Sequence, residues 1–248
     1  MEEREDMMAH VGTVYDAGSA AELKRAEIVA AAVLELIYYS EKDTARENIT
    51  LKDVRGCVRR LYHIVMDDIE GTLESILSDD TIGDYTIKHS LNVCILSMLT
   101  AEDLGYDKRS IIDIGTAALL HDVGKRYVGR HIIYKDSFLT KEEMSIVKEH
   151  TVLGVVHAKS VFPDLPDHMA QGILYHHERL NGRGYPERLE GNIPRIARII
   201  AAADVFEAYM AKRPYHEKRS LQEGLEFILH LDGMDKEAVK SLVKQFYM

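Results

Sequence analysis

The sequence has few of the features that mark secreted, membrane-spanning or nucleic-acid-binding proteins. Its 248 residues include only 2 cysteines, Cys57 and Cys94, which lack metal-ligand spacing and are expected to pack as small apolar side chains in a reducing compartment. The net charge of -10 excludes a long-range attraction to nucleic acid or to an anionic membrane. The longest apolar stretch, residues 28 to 39, is shorter than the roughly 20 residues that cross a bilayer, and the acidic N-terminus does not resemble a secretory signal. We therefore expect a soluble, cytoplasmic protein with no membrane span and no nucleic acid polymer as partner.

Proline is also scarce, since all 5 prolines follow residue 162, and the hydrophobic residues recur with a helical period rather than with strand alternation. The pattern predicts an all-α fold. Thr140 and Glu143 form a capping-box signature for one helix. Residues 1 to 80 are interpreted as an N-terminal helical segment for dimerisation or partner docking, and residues 81 to 248 as the main domain. The predicted helices cover residues 21 to 40, 50 to 78, 84 to 104, 108 to 122, 141 to 160, 165 to 177 and 193 to 211, and two shorter helices follow.

Seven histidine and aspartate residues are expected to point into the interior. Three lie on the apolar faces of predicted helices, as His150 does among Ile146, Val147 and Leu153, and four stand in pairs where apolar helices end. Taken singly, such a histidine is more often a core residue, and an inward aspartate is more often a cap or an ion-pair partner. Together, imidazoles with a carboxylate minority fit a two-metal site in which an aspartate can bridge. The seven residues are His89, His121, Asp122, His150, His176, His177 and Asp204.

Basic residues gather near these candidates although the protein is acidic. Lys125 follows the His-Asp pair by three residues, and others lie in the Gly- and Pro-rich stretch at residues 181 to 194, which is predicted to be a long surface loop. This pattern predicts a local phosphate site, and the alternative for the arginines taken singly is a solvated charged surface. His157, seven residues after His150, is interpreted as structural or as a neighbour of the site. The arginines concerned are Arg126, Arg130, Arg183, Arg188 and Arg213.

From about residue 84 to 230 the sequence resembles the HD-GYP phosphodiesterases, metal-dependent members of the HD superfamily. The resemblance rests on "YTIKHS" around His89, "HDVGK" at 121 to 125, "KEH" ending at His150, "HHERLNGRGYP" at 176 to 186 and "ADVFEAYMAKRPY" at 203 to 215. It implies a helical bundle whose seven His and Asp residues hold metal ions, with residues 81 to 248 as the catalytic domain. It further implies that Lys125 contacts the scissile phosphate. Arg183, Tyr185, Glu207 and Arg213 are implied as substrate contacts.

The chain also departs from the family pattern. Tyr85 stands where some members have a glutamate that recruits a third metal, so a binuclear site is expected. Asn181 stands where Asp is usual, Arg188 where Gly is usual and Glu207 where Asp is common. These changes leave the ligand set intact and affect the residues near the substrate.

The function predicted from this resemblance is hydrolysis of cyclic di-GMP to linear pGpG, with further hydrolysis to GMP left open. A shared water, activated by two divalent metals that Asp122 bridges, would attack phosphorus while Lys125 stabilises the developing charge. Iron or manganese is favoured, with zinc as a possibility. The alternatives are a sensor or adaptor without turnover, and a phosphohydrolase acting on another nucleotide. Further expected partners are a second copy bound through the N-terminal helices and a signalling protein at the GYP loop, the part of the predicted loop that contains Gly184, Tyr185 and Pro186.

Overall fold

A computed structural model describes residues 19–39, 49–77, 85–211 and 219–247. Within these ranges the regular structure is helical and no strand is present, so the all-α prediction is confirmed. The N-terminal helices are α1 (Ser19–Tyr39), α2 (Leu51–Asp67) and α3 (Ile69–Leu77). The remaining helices are α4 (Tyr85–Asp103), α5 (Lys108–Leu120), α6 (Arg130–Ile133), α7 (Lys141–Lys148), α8 (His150–Val161), α9 (Asp167–Tyr175), α10 (Arg195–Met210), α11 (Leu221–His230) and α12 (Lys236–Lys244). Two 3-10 segments occupy Val123–Tyr127 and Gln245–Tyr247.

Several helices begin where a side chain caps the first backbone N–H groups. The capping box predicted at Thr140 and Glu143 is present at the start of α7, and Thr50 and Ser220 form equivalent boxes at the starts of α2 and α11. Asp107 caps α5 by accepting hydrogen bonds from two backbone N–H groups. Local sequence therefore determines where these helices start.

Two predicted helices are each divided in the structure. The helix expected at residues 50 to 78 breaks at Asp68, whose carboxylate accepts a 2.9 Å hydrogen bond from the Gly71 N–H and so caps α3. The helix expected at residues 141 to 160 divides at Glu149 into α7 and α8. The second division matters for the site, because it makes His150 the first residue of α8.

The core is one continuous cluster of buried side chains that runs from α1 to α12. Helices α4 and α5 lie at its centre and are buried on nearly every side, with residues 111 to 120 all buried. The N-terminal helices share this core, and the Arg126 guanidinium donates a 2.8 Å hydrogen bond to the Ile37 carbonyl oxygen of α1. The boundary near residue 80, and dimerisation or docking through residues 1 to 80, stay predictions.

The described helices include none that combines the length and the apolar character needed to span a bilayer. The cytoplasmic location expected from the sequence stays a prediction.

Candidate metal centre

The seven predicted ligand residues come together in the centre of the helical bundle. They form two groups, and within each group the potential ligand atoms all lie within 4.8 Å of one another. One group comprises Asp122, His150, His176 and His177, and the other comprises His89, His121 and Asp204. We call these seven residues the His-Asp cluster. Its members come from α4, the end of α5, the start of α8, the end of α9 and the middle of α10.

Helix-end carbonyl groups fix the orientation of three cluster histidines. In each, ring Nδ1 lies at hydrogen-bond distance from the carbonyl oxygen three residues earlier, so Nδ1 carries the proton and Nε2 presents a lone pair to the cluster. The partners are Ala118 for His121 at 2.6 Å, Val147 for His150 at 2.6 Å and Ile173 for His176 at 2.7 Å. His150 reaches the cluster from the start of α8 and not from an apolar stripe as predicted, since Ile146 is 43% exposed.

Asp122 lies between the two groups. Its Oδ1 is 3.3 Å from His150 Nε2, while its Oδ2 is 3.4 Å from His121 Nε2 and 3.5 Å from His89 Nε2. Asp204 Oδ1 approaches His89 Nε2 at 3.2 Å from the other side. A carboxylate in the position of Asp122 can face two cations at once, which is the arrangement that a bridging ligand needs.

The donor set fits divalent metal ions. Two buried polar atoms that face into the cluster, His121 Nε2 and Asp122 Oδ1, have no hydrogen-bond partner. Because an unsatisfied buried polar atom is costly, a cation at this position would stabilise the arrangement. Imidazole nitrogen with carboxylate oxygen is a ligand mixture suited to iron, manganese or zinc.

Most of the cluster side chains already favour the protonation states that metal binding requires. Burial lowers the pKa of His150 to about 4, and burial also lowers the pKa values of His176 and His177 well below the usual range. Burial opposes ionisation of Asp122 and Asp204, but Lys125 acting on Asp122, and His89 acting on Asp204, lower both pKa values well below normal. Neutral imidazoles and ionised carboxylates are the forms that bind metal.

Glu207 contacts His89 on the ring nitrogen that faces away from the cluster. The structure places its carboxylate against His89 Nδ1, and Asn92 Nδ2 donates a 3.1 Å hydrogen bond to its other oxygen. Burial opposes a charge on His89, but Glu207 and Asp204 raise its pKa to about 10. Glu207 is buried and lies against the imidazole, where its carboxylate can orient a candidate ligand histidine, and its expected role as a substrate contact stays a prediction.

Lys125 is held beside the cluster by the tight turn that precedes it. A side chain at Gly124 would meet the His150 carbonyl oxygen at 1.9 Å and the Gly154 nitrogen at 2.5 Å, so only glycine lets this turn pack against α8. The Lys125 ammonium group forms an ion pair with Asp122 Oδ2, and the lysine side chain is 27% exposed. The cation is therefore close to the cluster and accessible to a ligand.

A cavity of about 480 Å³ opens from the cluster, a volume within the range of small-molecule sites. Its cluster side is formed by His89, His177 and Asp204, with Tyr85 at the edge. Among the residues that the structure describes, three cations line it, namely Lys125, Arg179 and Arg219. Of these, sequence reasoning identified only Lys125, because helical periodicity does not show which basic residues of a loop face inward.

Four of the five arginines considered for phosphate binding do not line this cavity. Arg183 and Arg188 are exposed and do not line the cavity, while Arg126 contacts Ile37 and His157, which makes His157 structural. Arg130 lies over the Tyr134 ring. Arg213 is outside the described residues.

The loop after α9 is anchored by Glu178, which sequence reasoning also missed. Glu178 directly follows His176 and His177 and is only 2% exposed, and its carboxylate accepts three backbone hydrogen bonds from the loop. The donors are the N–H groups of Glu187 at 2.7 Å, Arg188 at 2.8 Å and Leu189 at 2.9 Å. Nothing in the local pattern distinguishes this glutamate from a solvated one, because its partners are nine to eleven residues away.

The anchored loop brings Tyr185 onto the cluster. The Tyr185 ring stacks on His177 with centroids 4.6 Å apart and an interplanar angle of 25°. Lys148 lies over the same ring at 5.2 Å. Of the two predicted loop contacts, Arg183 and Tyr185, the structure places Tyr185 against a cluster histidine.

Comparisons with known proteins agree with this architecture. A family model described as HD domain matches residues 73–237. A protein named cyclic di-GMP phosphodiesterase from Thermotoga maritima is 37% identical over 163 residues, which cover 64% of this chain and 44% of that protein. One named 3'3'-cGAMP-specific phosphodiesterase 1 from Vibrio cholerae serotype O1 is 32% identical over 180 residues, covering 68% of this chain and 40% of that protein. The chain thus spans less than half the length of either relative.

A solved structure shares the fold. Bd1817, described as a HDG"Y"P protein from Bdellovibrio bacteriovorus, superposes with a TM-score of 0.75 at 15% identity, over 99% of this chain and 78% of that chain. At this identity the likeness concerns the fold alone. The predicted resemblance to the HD-GYP phosphodiesterases is confirmed, and the chain belongs to the HD-domain family.

Proposed function

We propose that this chain is a metal-dependent phosphodiesterase that hydrolyses cyclic di-GMP to linear pGpG. The observation that carries the proposal is the His-Asp cluster, in which Asp122 lies between two groups of ligand atoms beside a cavity that Lys125 also lines. The name of the Thermotoga maritima relative supports the same substrate.

The seven cluster residues would hold two divalent metal ions, with Asp122 between them. Iron or manganese suits this imidazole-rich set, and zinc is the alternative. When bound, such ions supply Lewis-acid activation of water and of the phosphoryl group. Tyr85 stands at the cavity edge with its ring parallel to His89, at 18° and 6.0 Å, and a tyrosine there adds no carboxylate for a third metal. This supports a binuclear site.

The protein's own side chains would position the phosphodiester and stabilise its charge. Lys125 faces the cavity from beside Asp122 and would contact the phosphoryl oxygens as negative charge builds up. Arg179 lines the same cavity, and its Nη1 donates to the carbonyl oxygens of His176 and Glu178 at 3.0 and 2.8 Å, so its guanidinium is fixed next to the cluster. Tyr185 and His177 would form one wall beside the substrate.

The first experiment measures metal content and turnover together. Anaerobically purified protein should contain two metal ions per chain by elemental analysis and should consume cyclic di-GMP. His121→Ala and Asp122→Ala should each lose metal and activity, whereas His230→Ala, which changes an exposed histidine of α11, should retain both. Retention of both metals by a His121→Ala, Asp122→Ala double variant would refute the ligand assignment.

The second experiment follows the products by chromatography. Linear pGpG should accumulate first and GMP slowly, because a binuclear site has fewer cations to bind the linear dinucleotide for a second cut. Prompt GMP without pGpG contradicts the product assignment. Absence of turnover with both metals bound would favour the sensor or adaptor.

A mixed cyclic dinucleotide is the second candidate substrate. It is favoured by the 32% identical Vibrio cholerae relative, whose name specifies 3'3'-cGAMP. Parallel turnover of 3'3'-cGAMP and cyclic di-GMP distinguishes the two. A homodimer through the N-terminal helices and a signalling partner at the GYP loop remain predictions.

A further inference from the structure

The cavity wall formed by the end of α10 and by α11 carries a three-layered stack. The rings of Tyr209 and Phe227 are 3.9 Å apart at 8°, and the Arg219 guanidinium carbon lies 3.8 Å from the Tyr209 centroid. Two groups at these distances cannot share one face of a ring, so Phe227 and Arg219 cover opposite faces of Tyr209. We call this arrangement the Arg219 stack.

The stack belongs to the same cavity as the His-Asp cluster. All three of its side chains line that cavity, together with His89 and Asp204 of the cluster. Tyr209 follows Asp204 on α10 by five residues, so one rigid helix carries both a cluster carboxylate and the centre of the stack. A ligand bound at the cluster therefore meets the stack from inside the cavity.

The stack fixes the plane of the Arg219 guanidinium. The ring of Tyr209 holds one face of the group, and Arg219 Nη1 donates a 3.2 Å hydrogen bond to the Tyr209 carbonyl oxygen. A guanidinium has five N–H donors in a rigid fork, and this bond uses one of them. The fork is therefore preorganised to donate to a ligand with two adjacent acceptors.

Two ligand groups offer such acceptors, namely a phosphate and a guanine edge. A phosphate in this cavity would already be bound by Lys125 and by the metal ions that the His-Asp cluster would hold. A pair of stacked rings contributes nothing further to phosphate binding. A nucleobase is flat and has acceptors along its edge, so it can lie in the plane that the Tyr209 ring imposes on the guanidinium and accept from the fork. Guanine presents O6 and N7 as two acceptors to an arginine, whereas adenine replaces O6 by an amino donor that would face the N–H groups.

We propose that the Arg219 stack is the subsite for one guanine base of the cyclic dinucleotide, with Arg219 donating to O6 and N7. This inference rests on the proposed function and narrows its substrate class to dinucleotides that contain guanine. In this proposal the stack binds the base, and the His-Asp cluster binds the phosphodiester.

The test measures binding of GMP and AMP by titration calorimetry to the metal-loaded chain. Wild-type protein should bind GMP more tightly than AMP. Arg219→Met, which keeps the length and apolar stem but removes the donors, should weaken GMP binding by about 10-fold or more with little change for AMP. Arg195→Met is the matched control, because Arg195 lies at the opposite end of α10 and contacts Glu237 on the surface. Metal content, measured on each variant, should be unchanged.

Three results would overturn the inference: no GMP binding to wild-type protein, equal GMP affinity in wild type and Arg219→Met, or an equal loss for GMP and AMP, which would indicate a phosphate contact. Turnover of cyclic di-GMP by wild-type protein is measured in parallel. If turnover occurs while Arg219→Met leaves GMP affinity unchanged, the subsite alone is wrong. If turnover is absent while GMP affinity depends on Arg219, the subsite stands and the proposed reaction is wrong.

Discussion

Substitution of Glu178 by glutamine should release the loop that carries Tyr185 while leaving every cluster residue in place. In the wild-type protein, Oε1 of Glu178 accepts from the N–H groups of Glu187 and Arg188, and Oε2 accepts from that of Leu189. Glutamine keeps one carbonyl oxygen, and its amino group would face a backbone N–H in place of the second oxygen. One charge-assisted hydrogen bond is lost and the charge is removed.

The expected cost follows from these contacts. A hydrogen bond to a charged group contributes about 1.5–3 kcal/mol, so Glu178→Gln should destabilise the closed loop by about that amount. Glu178→Ala removes all three acceptor contacts and should destabilise the closed loop by about 3–5 kcal/mol. This cost is smaller than that of three independent hydrogen bonds, because residues 187 and 188 are exposed and their amides can bind water instead.

Hydrogen exchange directly measures the free energy of opening the loop that Glu178 anchors. A cost of 1.5–3 kcal/mol should speed exchange of the amides of residues 187 to 189 by roughly 10- to 150-fold in Glu178→Gln. The KM for cyclic di-GMP should rise with it, because Tyr185 no longer stays on His177. Glu190→Gln is the control, since Glu190 is an exposed glutamate of the same loop and should change stability by less than about 0.5 kcal/mol. Unchanged protection of these amides in Glu178→Gln would refute the reasoning.

Three further predictions concern the cluster and its loop. Lys125→Ala should lower the catalytic rate by about 100-fold or more with both metals retained, as expected for loss of one preorganised charge, whereas an unchanged rate would assign Lys125 to the solvated surface. Arg188 has a φ of 58°, so Arg188→Gly should relieve about 1 kcal/mol of backbone strain and raise the thermal midpoint by about 2–4 °C, while Arg183→Gly, where φ is not positive, should lower it. In metal-free protein, burial lowers the pKa of His150 to about 4, whereas the pKa in the unfolded chain is about 6.5. Because the unfolded chain binds the proton more readily, the free energy of unfolding is highest above pH 6.5 and decreases as the pH falls toward 4. Urea midpoints at pH 7 and 5 should therefore differ less in His150→Gln than in wild type, and an equal difference would contradict the assignment.

The positions of most helices were predictable because caps and hydrophobic periods are local. Thr140 with Glu143 marks the start of α7 in the sequence as it does in the structure. Divisions at Asp68 and Glu149 were missed, since both residues lie inside continuous periodic patterns. The missed division at Glu149 also explains why the apolar stripe predicted around His150 does not exist.

The sequence alone identified the seven residues that meet in the interior, and for six of them helical spacing or a helix end correctly specified the inward direction. His150 is the exception, because it enters from the start of α8 and not from the predicted apolar stripe. Tertiary structure decided the rest: the position of Asp122 between the two groups, the place of Glu207 behind His89, and the inclusion of Arg179 and Arg219 in the cavity in place of Arg183. These features depend on distances between residues far apart in the chain and on the path of an aperiodic loop. Such long-range distances and such a loop path leave no repeating pattern in the sequence, because the packing of the complete bundle determines them.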